Sequence, residues 1–452
     1  MQTIKKQDFG KQNWVILLLF GLMGQIAWTV ENMFFNVFVF EEIAQNLDMI
    51  TLMVQLSGVV ATVATLIAGT LSDKIGNRRR MIAYGYIIWG VTVALFGQIS
   101  EESMGAIFHT SGENAIFIAL LVAIVGDCVM TLFGSSANDA AFNAWVTDNT
   151  KEEFRGKVEG ILATLPLISM LIVVGGLGMI VELIGGYSNL FMGLGILISG
   201  CGIAGLFLVK DNPMLEKKGN FADIIYGFKP SVIKAHKPLY LVLVITAIYG
   251  IACQVFMPYI IIFMKTFLGF DVIEYSVVFG GAIIAGAALN IWFGRKTDSM
   301  DKAKLLYAAT IIFAAGLIGM WACSYLGNHV ALLIVFGLFG FVMIAGYILV
   351  LALSGALTRD YTPEEAVGKM QGIRMIFSVL LPMVLGPMIG NGVNALRNVS
   401  LPSSGAQIEG LDAMTTKYIP APEIFLVGAI VALLMFAVIP YLVKVREQEK
   451  NK

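Results

Sequence analysis

Acidic and amide side chains inside long apolar runs are the residues of this chain that could do chemistry. Gln25, Trp28, Glu31 and Asn32 follow one another at helical spacings, so they share one face of a helix. Taking an ionisable group out of water is costly, so each one inside an apolar helix is a functional candidate. The pattern predicts a polar stripe with Glu31 as its titratable group.

A second polar stripe follows the apolar run that begins near residue 115. Asp127 falls near the middle of this run, and Asp139 and Asn143 lie toward its end. Burial favours the neutral form of a carboxyl, which can bind a proton and release it when water returns. We expect Glu31 or Asp127 to carry a coupling proton, and Asp139 to share that role or bind substrate hydroxyls. A structural hydrogen bond or ion pair between helices is the alternative at each position.

The composition places these stripes in a membrane. Hydrophobic residues make up 58% of the 452 residues and charged residues only 13%, whereas soluble domains carry about 25% charge. So few charges cannot cover the surfaces of soluble domains. Lys and Arg number 30 against 31 Asp and Glu, which leaves no basic excess for nucleic acid. The composition therefore excludes a soluble enzyme, a disordered protein and a nucleic-acid binder, and the four cysteines show no metal-site spacing.

Twelve stretches are long and apolar enough to cross a bilayer as helices, which need about 20 residues each. They lie near 13–40, 48–71, 81–99, 115–146, 158–183, 187–209, 238–264, 272–293, 304–326, 330–357, 368–394 and 421–444. They do not alternate as barrel strands would. The predicted fold is therefore an all-α membrane protein with twelve transmembrane helices.

The distribution of basic residues predicts the orientation of these helices. With the N-terminus inside, 26 of the 30 Lys and Arg fall in inner segments and three fall in outer loops. Arg374 is the one that remains within a span. This asymmetry follows the positive-inside rule and predicts two cytoplasmic termini in the plasma membrane.

An internal repeat divides the chain into two halves. The pattern D-x-T-x-E-E-x-x-G-K-x-x-G-I occurs at 148–161 and again at 360–373. We predict two pseudo-symmetric six-helix bundles over 1–209 and 238–452, joined by a cytoplasmic linker over 210–237. Parallel halves of this kind suit a carrier that holds its substrate between them.

The segment from Gly69 to Arg80 reads Gly-Thr-Leu-Ser-Asp-Lys-Ile-Gly-Asn-Arg-Arg-Arg. It resembles the signature loop of the major facilitator superfamily, G-x-L-x-D-[RK]-x-G-[RK]-[RK], with Asn in place of one basic residue. The resemblance implies that Gly69, Asp73 and Arg78 form a conformational latch of the outward-facing state. A degenerate copy ending at Asp298 adds that residue to the latch. The alternative for the arginines is that they follow the positive-inside rule alone.

The segment from Asp139 to Val146 resembles the fourth span of the glycoside–pentoside–hexuronide:cation symporters within that superfamily. Asn143 stands where that group has its second aromatic residue. Ala61 and Thr65 stand where that group has its sodium-binding carboxylates, so we expect no sodium site of that design. Arg374 takes the place of a Lys in that group.

These features predict a secondary active transporter of a small polar solute, a sugar or glycoside, with proton coupling. The alternative is a drug:proton antiporter that exports amphipathic compounds. We expect a monomer in the lipid bilayer, with no cofactor, no metal, no nucleic-acid partner and no enzymatic activity. The predicted substrate-binding residues are Gln25, Trp28, Asn32, Asn143, Gln254, Tyr259, Tyr347 and Arg374.

Overall fold

The computed structural model describes residues 9–150, 152–211, 226–297, 301–363, 367–400 and 418–450. Within these ranges the protein is helical and contains no β-strand. Twelve long helices, α1 to α12 in chain order, account for most of the described residues. They are Lys11–Ile43, Leu47–Ile75, Arg78–Phe96, Glu113–Asn149, Gly160–Val181, Tyr187–Leu208, Lys237–Thr266, Val272–Thr297, Lys302–Cys323, His329–Tyr361, Met370–Arg397 and Glu423–Gln448.

Eleven helices in the described ranges are each long and apolar enough to cross a membrane. The remaining one, α3, begins with three arginines and meets the same test together with the short helix Glu101–Phe108, which bends away by 99°. The predicted all-α fold with twelve transmembrane helices is confirmed. Every predicted span lies within a few residues of an observed helix.

Helices from each half of the chain pack mainly within that half. α3 packs along α6, and α2 and α3 pack along α4. In the second half, α9 packs between α10 and α12, and α7 packs along α11. Contacts of α2 with α11 and of α5 with α8 join the two sets of helices.

Several helices contain π-helical turns, which insert one extra residue and rotate the helix face beyond them. In α1 these turns span Val30–Phe35 and Val39–Ile43, and in α4 one spans Ser135–Phe142. Glu31 and Asp139 therefore lie inside π-helical turns. Such turns occur often at functional sites.

The turn between α2 and α3 is built by its own sequence. Gly76 ends α2 in the left-handed conformation, with φ of 67°, and its N–H donates to the Ser72 carbonyl. Asn77 then caps α3 by accepting a hydrogen bond from the Arg80 N–H at 3.1 Å. This short turn fixes Arg78 in the first turn of α3.

The contact between α3 and α6 depends on glycine. A Cβ on Gly195 would lie 2.4 Å from the Gly90 carbonyl oxygen and 2.8 Å from the Ala94 nitrogen. Small residues allow membrane helices to approach this closely.

We predict that Gly195→Ala destabilises the protein by about 1–3 kcal/mol, because the new methyl group overlaps backbone atoms that cannot move aside. Thermal unfolding in detergent measures the effect. Gly193→Ala on the same helix is the control, since nothing lies within 4 Å of its Cβ position. Equal melting temperatures for the two variants would contradict the prediction.

Candidate functional site

Three helices meet at the carboxyl group of Glu31. Its Oε1 atom on α1 accepts a hydrogen bond from Thr131 Oγ1 of α4 at 2.8 Å and from Ser57 Oγ of α2 at 3.2 Å. The two hydroxyl oxygens are themselves 2.7 Å apart. Glu31 is only 5% exposed, so these hydroxyl groups replace water around its carboxyl.

Asp127 lies one turn before Thr131 on α4 and is 2% exposed. The Asp127 carboxyl lies close enough to Glu31 for the charge of one acid to act on the other. One oxygen of each acid, Glu31 Oε2 and Asp127 Oδ1, is buried and has no hydrogen-bond partner within the described part of the chain. Among the described residues, no Lys or Arg pairs with either carboxyl. We call Glu31 and Asp127 the carboxyl pair.

Counting hydrogens shows what this arrangement can do chemically. Ser57 Oγ, Thr131 Oγ1 and Glu31 Oε1 make three mutual contacts of 2.7–3.2 Å. The two hydroxyl groups supply two hydrogens, so one contact has none when the carboxyl is ionised. A proton on Glu31 Oε1 supplies the third hydrogen and closes the ring. The site therefore fits a carboxyl group that binds a proton.

Asp139 lies farther along α4 and is half-buried. Its Oδ1 accepts a hydrogen bond from Asn138 Nδ2 at 3.1 Å, and Asn138 Oδ1 accepts one from Tyr86 at 2.8 Å. Arg374, near the start of α11, is half-buried. Within the described parts of the chain, no Lys or Arg forms an ion pair with Asp139.

Three of the predicted substrate-binding residues present amide groups from the two halves of the chain. Gln25 and Asn32 on α1 and Gln254 on α7 are half-buried. Asn32 Nδ2 donates to the Trp28 carbonyl at 2.7 Å. In the described ranges, the Asn32 side-chain oxygen and both Gln side chains make no further hydrogen bond, so they are available to a polar ligand.

Aromatic rings accompany these amides in both halves. Trp28 packs against Trp89 with ring centroids 5.1 Å apart. Tyr347 packs against Tyr249 at 5.6 Å, and the Tyr249 hydroxyl donates to the Tyr347 carbonyl at 3.0 Å. Trp28 and Tyr347 are half-buried, which leaves part of each ring accessible.

The residues of the span-4 resemblance divide into two groups. Phe142 is buried between Phe20 and Trp145, and Trp145 Nε1 donates to the Lys210 carbonyl at 2.8 Å. These aromatic side chains therefore serve helix packing. Asn143 is exposed, with its Nδ2 donating to the Asp139 carbonyl at 3.1 Å.

Tyr259 is buried completely, at the end of the molecule where α2 begins and α11 ends. Its hydroxyl lies 2.7 Å from Thr51 Oγ1 of α2 and 3.0 Å from the Pro387 carbonyl of α11. Gln55 Nε2 donates to the Val384 carbonyl of α11 at 2.8 Å nearby. Tyr259 thus bridges helices of both halves in this conformation.

Charged and polar side chains extend this bridge to the molecular surface. Asp48 of α2 accepts hydrogen bonds from Asn391 at 2.6 Å and from the Tyr418 hydroxyl at 3.0 Å. Burial and the neighbouring Asp48 raise the pKa of Tyr418 to about 12, so its hydroxyl remains a donor. Glu41 forms a salt bridge with Lys265 of α7. We call this set of contacts between the halves the closed end.

Arg78 ties three helix ends together at the opposite end of the molecule. It is 4% exposed. Its Nη2 lies 2.5 Å from Asp73 Oδ1 and its Nε 3.0 Å from Asp148 Oδ2, and its Nη1 donates to Ser72 Oγ. The structure thus joins two of the predicted latch residues and connects them to α4 through Asp148.

The other two predicted latch residues are Gly69 and Asp298. A Cβ on Gly69 would meet only Ala140, at 4.0 Å. Among the described residues, no neighbouring helix therefore approaches Gly69 closely in this conformation. Asp298 lies outside the described residues.

The comparisons with known proteins agree with this architecture. Residues 17–387 match the family model described as Major Facilitator Superfamily, which is most of the chain. The chain belongs to the Major Facilitator Superfamily. Members of this superfamily are membrane transporters, so the protein is a multi-pass membrane transporter by family. No curated protein sequence matches it.

Solved transporters of this superfamily share the fold. The nucleoside transporter NupG is 12% identical, with a TM-score of 0.64 over 95% of this chain and 98% of that one. A bacterial homologue of the human lysosomal transporter Spinster, in an inward-facing and occupied conformation, is 13% identical. Its TM-score is 0.65 over 95% of this chain and 96% of that one.

Sequence reasoning identified the carboxyl groups and missed Ser57 and the contacts of the closed end. Ser57 is one of many hydroxyl residues in apolar spans, and nothing in its neighbours distinguishes it. Asp48 and Glu41 meet residues more than 200 positions away. A local pattern carries no signal for contacts at such separations.

We predict that Arg78→Gln destabilises this transporter by about 3 kcal/mol, because it leaves two carboxylates without their shared cation. This is the lower end for buried ion pairs, since the Asp73 side chain is 47% exposed. Thermal unfolding in detergent tests it. Arg80→Gln is the control, and we expect about 0.5 kcal/mol or less because Arg80 is exposed. Similar losses in both variants would mean that the ion pairs add no stability.

Proposed function

We propose that this Major Facilitator Superfamily protein is a secondary active transporter that couples a small polar solute to a proton. The observation that carries the proposal is the carboxyl pair, with its incomplete hydrogen-bond ring and no cation among the described residues. A buried acid that lacks a counter-charge is suited to exist in a neutral form. It can release its proton when the site opens to water on one side of the membrane.

Alternating access would open the carboxyl pair to water on each side of the membrane in turn, so that a proton could bind on one side and leave on the other. The distribution of basic residues supports cytoplasmic termini in the plasma membrane, so the closed end would face outward. We propose that the six-helix units over 1–209 and 238–452 rock against each other about the linker over 210–237. The contacts of the closed end would then break as the outward-facing state forms.

The substrate class follows from polar side chains that can form further hydrogen bonds beyond those seen among the described residues. The amides of Gln25, Asn32 and Gln254 can both donate and accept hydrogen bonds, and the Asp139 carboxylate accepts them. Such groups match a neutral hydroxylated solute. We propose a sugar or glycoside, with Trp28 and Tyr347 as faces for the sugar ring.

Uptake into proteoliposomes tests the function directly. The panel contains labelled mono- and disaccharides, and nucleosides as sugar-bearing solutes because the fold is shared with a nucleoside transporter. We expect one sugar or glycoside to accumulate under an imposed inward proton gradient and to equilibrate without it. Expulsion of lipophilic cations with no sugar movement would instead favour the drug:proton antiporter. Accumulation driven by sodium alone would overturn proton coupling.

The carboxyl pair and Asp139 have separable roles in this scheme. We predict that Glu31→Gln and Asp127→Asn abolish proton-driven accumulation but retain exchange of internal for external substrate. Their side chains remain neutral, and exchange requires no proton release. Asp139→Asn should raise the KM for substrate about 10-fold or more, as expected for the loss of one or two hydrogen bonds to a charged acceptor.

Glu102→Gln is the control for these variants, because this carboxylate is exposed on the short helix Glu101–Phe108. It should transport like the unmodified protein. Unchanged proton-driven accumulation in Glu31→Gln, Asp127→Asn and Asp139→Asn alike would refute the assignment of these residues.

A further inference from the structure

The first part of α2 has two functional faces. An α-helix turns by 100° per residue, so Asp48, Thr51, Gln55 and Gly58 lie along one stripe. Ser57 points to the opposite side of the same helix. The stripe contacts the second half of the chain, and Ser57 contacts the carboxyl pair.

The stripe makes α2 a principal element of the closed end. Its hydrogen bonds reach Tyr259 on α7 and Val384 and Asn391 on α11. A Cβ on Gly58 would lie 2.5 Å from the Met383 Cβ, so α2 and α11 are in direct contact there. A small rotation or shift of α2 would therefore disturb all of these contacts together.

Ser57 has one hydroxyl hydrogen for two acceptors. It lies 2.7 Å from Thr131 Oγ1 and 3.2 Å from Glu31 Oε1. With Glu31 protonated on Oε1, the ring of Ser57, Thr131 and Glu31 is complete and holds α1, α2 and α4 together. With both carboxyls ionised, two like charges lie near each other in a site that excludes water.

We infer that α2 from Asp48 to Gly58 transmits the protonation state of the carboxyl pair through Ser57 to the closed end. The proton-loaded pair stabilises closure, and proton loss loosens it. Ser57 is thus a positioning residue for coupling. This inference rests on the proposed proton coupling and specifies how that coupling reaches the gate.

Other titratable groups lie near the carboxyl pair and at the closed end. Asp139 is the further acid that influences Glu31. Asp48, Glu41, Lys265 and Tyr418 form contacts of the closed end itself. A test at constant pH therefore isolates the carboxyl pair.

Hydrogen–deuterium exchange at one fixed pH provides that test, with Glu31→Gln as a permanent mimic of the proton-loaded acid. We expect Glu31→Gln to slow exchange in 383–397 of α11 and 257–266 of α7 by about fivefold, the factor that corresponds to one hydrogen bond. In a Ser57→Ala background this slowing should disappear. Ser57→Thr, which keeps the hydroxyl, should restore it.

Thr62→Val is the matched control on the same helix. Thr62 is buried, and its hydroxyl donates to the Gly58 carbonyl at 2.9 Å without contact to the carboxyl pair. The slowing by Glu31→Gln should persist in the Thr62→Val background. Thermal unfolding of each variant checks that it is folded.

The outcomes separate this inference from the proposed function. The link through α2 would be overturned if Glu31→Gln slowed hydrogen exchange at the closed end equally with and without Ser57, even if proton-driven uptake is intact. It would also be overturned if Glu31→Gln left hydrogen exchange at the closed end unchanged. Absence of proton-driven uptake in the unmodified protein would instead refute the proposed function. A slowing of hydrogen exchange that depends on Ser57 would still support the link from the carboxyl pair through α2 to the closed end.

Discussion

A carboxyl group held away from water without a counter-charge is the constraint on which the rest of this structure depends. Glu31 lies where α1, α2 and α4 meet, and two hydroxyl groups take the place of its hydration shell. Hydroxyl groups solvate a neutral carboxyl well and an ionised one incompletely. The helices around it must therefore keep their relative positions for the acid to stay buried, and their positions respond to its charge.

The closed end can respond in this way because its contacts are polar and separate. Glu41 with Lys265, Asp48 with Asn391 and Thr51 with Tyr259 join the halves through pairs of polar side chains. Surface ion pairs and single hydrogen bonds contribute little each. An interface of this kind can open and re-form at modest cost, as a carrier requires.

Arg78, at the other end of the molecule, forms its contacts within one half of the chain rather than between the two halves. One buried guanidinium joins Ser72, Asp73 and Asp148, all from the first half of the chain. Its planar fork satisfies several acceptors at once and keeps the ends of α2, α3 and α4 in register. The first half can then move as a unit while contacts to the second half change.

The sequence by itself determined the twelve helices, their approximate limits, the family signature between α2 and α3, and the acids that had to be buried. These follow from local properties, because about 20 apolar residues make a spanning helix wherever they occur. Only the tertiary structure decided which polar groups meet. Ser57 facing Glu31 and Tyr259 bridging Thr51 to Pro387 depend on helix rotation, and each residue turns a helix by 100°. The π-helical turns at Glu31 and Asp139 change that rotation by one residue, which apolar spacing does not encode.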